Sequence, residues 1–146
     1  MTVHSKLLLA IYMATSVIAL VLTWVHIPHY MAEGMMSANA QFWADAIFHS
    51  NPAGRFLAID VFFVTFSANV WMVTESRRYG IKFVWAYVLA GLIIAISVAL
   101  PLFLAARELR FSSAASDELR AELKLFDVWG LVLIFAVSIG AGMLAF

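Results

Sequence analysis

Asp60 sits inside an apolar run that extends from Phe56 to Thr74, with Asn69 as the other polar interruption. A carboxylate at depth in hydrocarbon costs about 2.5–3.5 kcal/mol on insertion scales, so it is expected to face other helices and to find a partner there. At helical spacing Asp60, Val64, Ser67, Trp71 and Glu75 form one stripe. An ionisable group so placed suits a general acid or base, a metal ligand or an anchor for a polar substrate group. Arg107, Glu108 and His26 or His29 are the side chains that would assist it in acting on a membrane-dissolved isoprenoid or sterol-like lipid. A bound ligand would meet Asp60, Ser67, Trp71, Pro101 and Arg107. The competing reading is structural: Asp60 holds helices together through Arg55 or Arg107.

The histidines offer different chemistry. His26 and His29 flank Pro28, and His49 follows Asp45 by four residues, within reach on one helix face. Three imidazoles with nearby carboxylates are ligand types for zinc or iron. The spacing matches no His-Glu-x-x-His pattern, so a metal at His26, His29, His49 and Asp45 is not the favoured reading. Histidines near a membrane surface also simply present a polar tip to the headgroups. His26 and His29 share nearly one helix face and cannot be opposite axial ligands of a haem.

These residues need elements to position them. The chain has 146 residues, 64% hydrophobic and only 12% charged, where a soluble domain carries about a quarter charged. Mean hydropathy is +0.95, and the surface this implies belongs in a bilayer. Formal net charge is zero, which gives nucleic acid no electrostatic purchase. With no cysteine, disulfides, thiolate metal sites and cysteine nucleophiles are excluded. No cofactor is required, although a bound lipid, quinone or pigment is compatible with the composition.

A helix needs about 20 apolar residues to cross hydrocarbon. Four runs meet that, at about 7–27, 56–74, 81–106 and 126–146, the last apolar from Val128. The first is too long for the core of a cleaved signal peptide and is read as a span. Ser37 can cap a short interfacial helix over about 38–49, with Phe42, Trp43, Ala46 and Ile47 on its apolar side. Asn51-Pro52-Ala53-Gly54 starts the second span, and Ser76-Arg77-Arg78-Tyr79-Gly80 turns it into the third. Ser116-Asp117-Glu118 reads as the start of a helix leading into the fourth. The expected fold is an all-α membrane protein, an antiparallel bundle of four transmembrane helices in a single domain. The N-terminus is placed in the cytoplasm on the compact Arg77-Arg78-Lys82 cluster.

On that topology His26, His29, Glu33, Asp45, His49, Arg55, Asp60, Arg107, Glu108 and Asp127 share one membrane face, and Glu75 lies on the other with Lys6, Arg77, Arg78 and Lys82. A kink at Pro101 would then shape a pocket beside Asp60. In the fourth span Ala136 with Gly140, and Ser138 with Gly142, are small residues four apart, suited to close packing within the bundle or against a partner. Trp24, Trp43, Tyr79, Trp85 and Trp129 fall near span ends, as an aromatic belt does.

Two stretches carry a family resemblance. Asp60 followed by Trp71-Met72-Val73-Thr74-Glu75-Ser76-Arg77-Arg78-Tyr79-Gly80, and Leu100-Pro101-Leu102-Phe103-Leu104-Ala105-Ala106-Arg107-Glu108, resemble the small four-span bacterial membrane proteins grouped as domain of unknown function 2834. The resemblance implies a bacterial inner-membrane location and assigns no activity. Asp60, Glu75, Arg77, Arg78, Pro101, Arg107 and Glu108 match its recurring positions. Two functions stay open from the residues themselves. One is an accessory or ligand- or lipid-binding subunit of a membrane complex, meeting other subunits or a second copy through the fourth span. The other is a small membrane enzyme with Asp60 as its acid or base. Metal binding is a third.

Overall fold

The computed structural model describes residues 3–113 and, further along, 129, 130, 132–134, 136, 137, 139 and 140. The chain divides into two compact units, Met1–Ala114 and Ala115–Phe146. All regular structure among the described residues is helical. In the second unit the described residues are helical, and Trp129, Val132, Leu133, Ile134 and Val137 are exposed there. Asp117, Glu118, Ser138, Gly142 and most of the expected fourth span lie outside the described residues.

The first unit is built on α1 (Val3–Trp24) and α3 (Pro52–Tyr79). These two helices are long and apolar enough to cross a membrane. The connection between them is mostly helical: a 3-10 segment Ile27–Glu33, α2 (Met35–Ala44) and a π-turn Asp45–His49. Ser37 does not cap it. The helix starts earlier, from Gly34 at φ 94°, a conformation favoured only by glycine. Edge-to-face contacts then run from Tyr30 to Phe42 (5.8 Å) and from Phe42 to Trp43 (5.3 Å). Trp43 lies on Phe62 of α3 at 4.5 Å, which docks the connection on the first half of α3. Asn51 caps α3 by accepting a hydrogen bond from Gly54 N at 2.8 Å. Pro52 occupies a first-turn position, where its missing N–H is no loss. Gly80 ends the helix in the left-handed region, and Ile81 N donates back to Ser76 O at 2.9 Å.

The sequence reading expects one span over 81–106. The structure instead holds two helices, α4 (Val84–Ile93) and α5 (Ile96–Ser113), folded back on each other. The ten residues of α4 rise about 15 Å, half the hydrocarbon thickness of about 30 Å. Tyr87 meets Phe103 with ring centroids 5.7 Å apart, and a Cβ at Gly91 would lie 3.6 Å from Ala99 Cβ. Residues 16 apart in one straight helix would be about 24 Å apart. Chain direction therefore reverses at Ile94-Ala95. On α3, Trp71 meets Phe103 (5.6 Å) and Tyr79 meets Phe111 (5.7 Å), so α5 runs parallel to the second half of α3.

Several backbone groups at the reversal are hydrogen-bonded, as a tip among apolar side chains favours. Ile94 N and Ala95 N both donate to Ala90 O, and Val98 N and Ala99 N both donate to Ala95 O. Trp24 Nε1, from the end of α1, donates to Ile94 O at 3.3 Å. Farther along, Ser16 Oγ donates to Val98 O at 3.1 Å, which ties α1 antiparallel along α5. Met72, Ile81, Val84, Val88 and Phe103 form the core where α3, α4 and α5 meet.

Gly91 sets the spacing of the hairpin, because a Cβ there would meet Ile96 Cδ1 at 3.3 Å. That neighbour is the free end of a side chain and can give by the small distance alanine needs. Gly91→Ala is expected to leave stability within about 0.5 kcal/mol, as gained helix propensity offsets the crowding. Gly91→Leu is expected to cost about 1–3 kcal/mol by forcing α4 off α5. Thermal unfolding of both variants in one mild detergent checks the difference.

Candidate functional site

Asp60 is exposed on α3. Among the described residues no hydrogen bond or ion pair reaches it, and neither arginine expected beside it is there. Arg55 Nε donates to Ser50 O at 3.2 Å, and Arg107 Nε donates to Glu75 Oε1 at 2.6 Å. From Asp60 to Glu75 is 15 residues of continuous helix, or about 22 Å. Asp60, Val64 and Ser67 at the lower part of the stripe are exposed. Trp71 and Glu75 at its upper part pack against α5. The stripe is one helix face with two surroundings, because α5 covers only its second half.

The sharing of a face by Asp60, Arg107 and Glu108 is thereby corrected, and so is the pocket expected beside Asp60 at Pro101. Pro101 is buried inside α5, two residues from the Phe103 that meets Trp71. Trp71 is itself about 16 Å along α3 from Asp60. The reason is the hairpin: α5 runs back along α4, to the end of α3 from which α4 starts.

The charged cluster the structure does assemble is at that end. The Glu75–Arg107 pair is largely enclosed, with side-chain exposure of 11% and 28%. Arg107 Cζ lies 5.1 Å from the Tyr79 ring centroid and 5.8 Å from that of Phe111. A guanidinium over aromatic faces gains cation–π attraction on top of its hydrogen bond. Glu108 is buried on the next position of α5, within electrostatic reach of Tyr12 on α1. Two carboxylates, one guanidinium and two phenols thus gather where α1, α3 and α5 meet. Such a set can hold three helices in register or carry a proton between carboxylates.

His29 and His49 both lie within electrostatic reach of Asp45. His49 Nδ1 and Asp45 Oδ1 are 2.7 Å apart in an exposed i, i+4 pair, while His29 stacks edge-on against Tyr30 at 5.2 Å. Among the described residues no three His, Asp or Glu side chains gather in a way that could hold a metal ion. The His49 hydrogen bond keeps Asp45 below the ordinary carboxylate range. Desolvation, with the Asp45 carboxylate second, raises the Tyr30 hydroxyl above its ordinary value.

A family model described as "Protein of unknown function DUF2834" matches residues 11–109. The chain belongs to that family. The match runs from α1 to the second half of α5 and takes in Asp60, Glu75, Arg77, Arg78, Pro101, Arg107 and Glu108. It ends before the second compact unit begins. No curated protein and no solved structure matches the chain.

Within the DUF2834 match, Glu75 and Arg107 are paired, where the four-span topology expects them on opposite faces. A usable signal was present. Glu75 continues the stripe through Trp71, and Arg107 follows Phe103 by four residues. In the structure both pairs meet in register, Trp71 with Phe103 and Glu75 with Arg107, as the equal spacing on two helices running in the same direction allows.

Removing one partner of a buried pair strands the other charge, at about 3–5 kcal/mol when both are fully enclosed. The residual exposure of Arg107 lowers that here, so Glu75→Gln is expected to cost about 1–3 kcal/mol. The double change Glu75→Gln with Arg107→Met is expected to recover part of the loss. A double-mutant cycle read by thermal unfolding gives the coupling, and zero coupling contradicts the pair.

Proposed function

We propose that this chain is an integral membrane protein that acts as an accessory subunit of a membrane complex, docking through the Asp60 side of α3. One observation carries the reading: an exposed carboxylate on a helix fit to span a membrane, among exposed Phe56, Leu57, Phe63 and Val64. Facing lipid, that carboxylate costs about 2.5–3.5 kcal/mol. A partner helix presenting a hydrogen-bond donor or a cation removes the cost and makes Asp60 a specificity contact. The first half of α3 has aromatic side chains on the same surface, and aromatic residues are enriched at interface cores.

The same geometry supports an orientation. The end where Glu75 meets Arg107 also holds Arg77, Arg78, Lys82 and Arg110, with Lys6 on the antiparallel α1, while Arg55 lies at the far end of α3. Return of α5 moves Arg107 and Arg110 to the basic side, so the positive-inside rule supports a cytoplasmic N-terminus. A bacterial inner-membrane location accords with the family resemblance. In the second unit, the small residues Ala136 and Gly140 suit a further contact with a partner or a second copy.

The enzyme reading needs a second titratable group beside Asp60. The described residues bring none within hydrogen-bond distance. The test is extraction of the tagged chain in mild detergent, with size and composition measured by native mass spectrometry. Wild type is expected to run with a partner. Asp60→Leu is expected to lose it, with thermal stability of the isolated chain unchanged or higher. A wild-type monomer without partner, or a complex indifferent to Asp60→Leu, overturns the reading.

A further inference from the structure

The α3–α4 turn and the second half of α5 enclose a groove of about 460 Å³ that is open along one side. Ile81, Phe83, Tyr87, Ala106 and Leu109 supply an apolar lining, and Lys82 and Arg110 supply two cations. We propose that this groove is a binding site for one anionic phospholipid, with its phosphate between Lys82 and Arg110 and an acyl chain along Tyr87 and Leu109.

Three observations support that occupant. The first is charge. Lys82 and Arg110 are exposed, and among the described residues neither has a carboxylate partner. The acids nearest in sequence are engaged or enclosed, since Glu75 is taken by Arg107 and Glu108 is buried. Arg77 and Arg78 are also exposed on the last turn of α3 and add to the positive field. The second is the pairing of an apolar lining with cations, which matches an amphiphile and suits neither a free anion nor a purely apolar guest. The third is backbone conformation. Phe83 stands at φ 60°, ψ 34°, the left-handed region, which is costly for a bulky residue. The residue is 81% exposed. A strained backbone that presents an aromatic ring beside a cation is readily explained by an acyl chain lying against that ring.

The site rests on the membrane reading, which fractionation tests separately: the wild-type chain must leave membranes with detergent and not with high salt. The site itself is tested on the full chain, delipidated in detergent and given phosphatidylglycerol, phosphatidylcholine or inorganic phosphate. Native mass spectrometry should show phosphatidylglycerol retained over phosphatidylcholine by about tenfold to thirtyfold, the contribution of two cations near the surface. Phosphatidylglycerol should also raise the unfolding temperature, while inorganic phosphate leaves it unmoved. Lys82→Gln with Arg110→Gln should bring retention close to parity, and Lys82→Arg with Arg110→Lys should keep the preference. Equal retention of the two lipids by wild type overturns the site, as does a preference that survives the double glutamine variant. A stabilisation reproduced by phosphate alone overturns it as well. If the glutamine variant unfolds, Phe83→Ala with the cations intact is the second measurement: it should weaken retention of both lipids, and unchanged retention counts against the groove.

Discussion

The hydrogen-bonded ion pair between Glu75 and Arg107 is the constraint on which the first unit depends. It joins the last turns of α3 to the second half of α5 at 2.6 Å. A pair enclosed this far interacts more strongly than one in water, and it is correspondingly intolerant of losing either member. It also decides direction. If α5 ran on in the direction of α4, Glu75 and Arg107 would lie far apart along α3 and neither would reach the other. Folding α4 and α5 into a hairpin satisfies them together, and Tyr79 and Phe111 then close over the guanidinium.

The hairpin transmits that constraint to the rest of the unit. Backbone bonds hold its tip, and α1 adds one through Trp24 on Ile94 O. Ser16 on Val98 O extends the same contact along α5. A polar clasp thus stands at one end, the hydrogen-bonded reversal lies at the other, and an apolar core around Phe103 and Met72 fills the space between. Beyond the reversal α3 continues with little of the unit beside it except the π-turn and α2. This is why Asp60 is open while Glu75 on the same stripe is not. The arrangement gathers basic residues at one end and leaves a single acid on an apolar helix near the other.

Much of this was legible in the residues. Asn51-Pro52-Ala53-Gly54 marks the start of α3, and Gly80 marks its end with glycine in the left-handed conformation. The helical class and the two long helices follow from apolar length. The reversal at Ile94-Ala95 did not show, because no glycine or proline stands at that point. Hydropathy counts apolar residues and is blind to chain direction, so one long span and a returning hairpin give the same run. Pro101, the breaker that is present, sits buried inside α5 and does not end it. The candidate site suffered from the same blindness. Asp60, Glu75, Arg107 and Glu108 were recognised by type, but their grouping depended on which way α5 runs.

The direction of α5 is therefore the claim to test. The chain contains no cysteine, so single cysteines report without background. Arg77→Cys, Arg110→Cys and Arg55→Cys, each in oriented membrane vesicles, can be exposed to a membrane-impermeant maleimide from one side at a time. The hairpin predicts that positions 77 and 110 label from the same side and position 55 from the other. Labelling of position 110 together with position 55, and opposite to position 77, would contradict it.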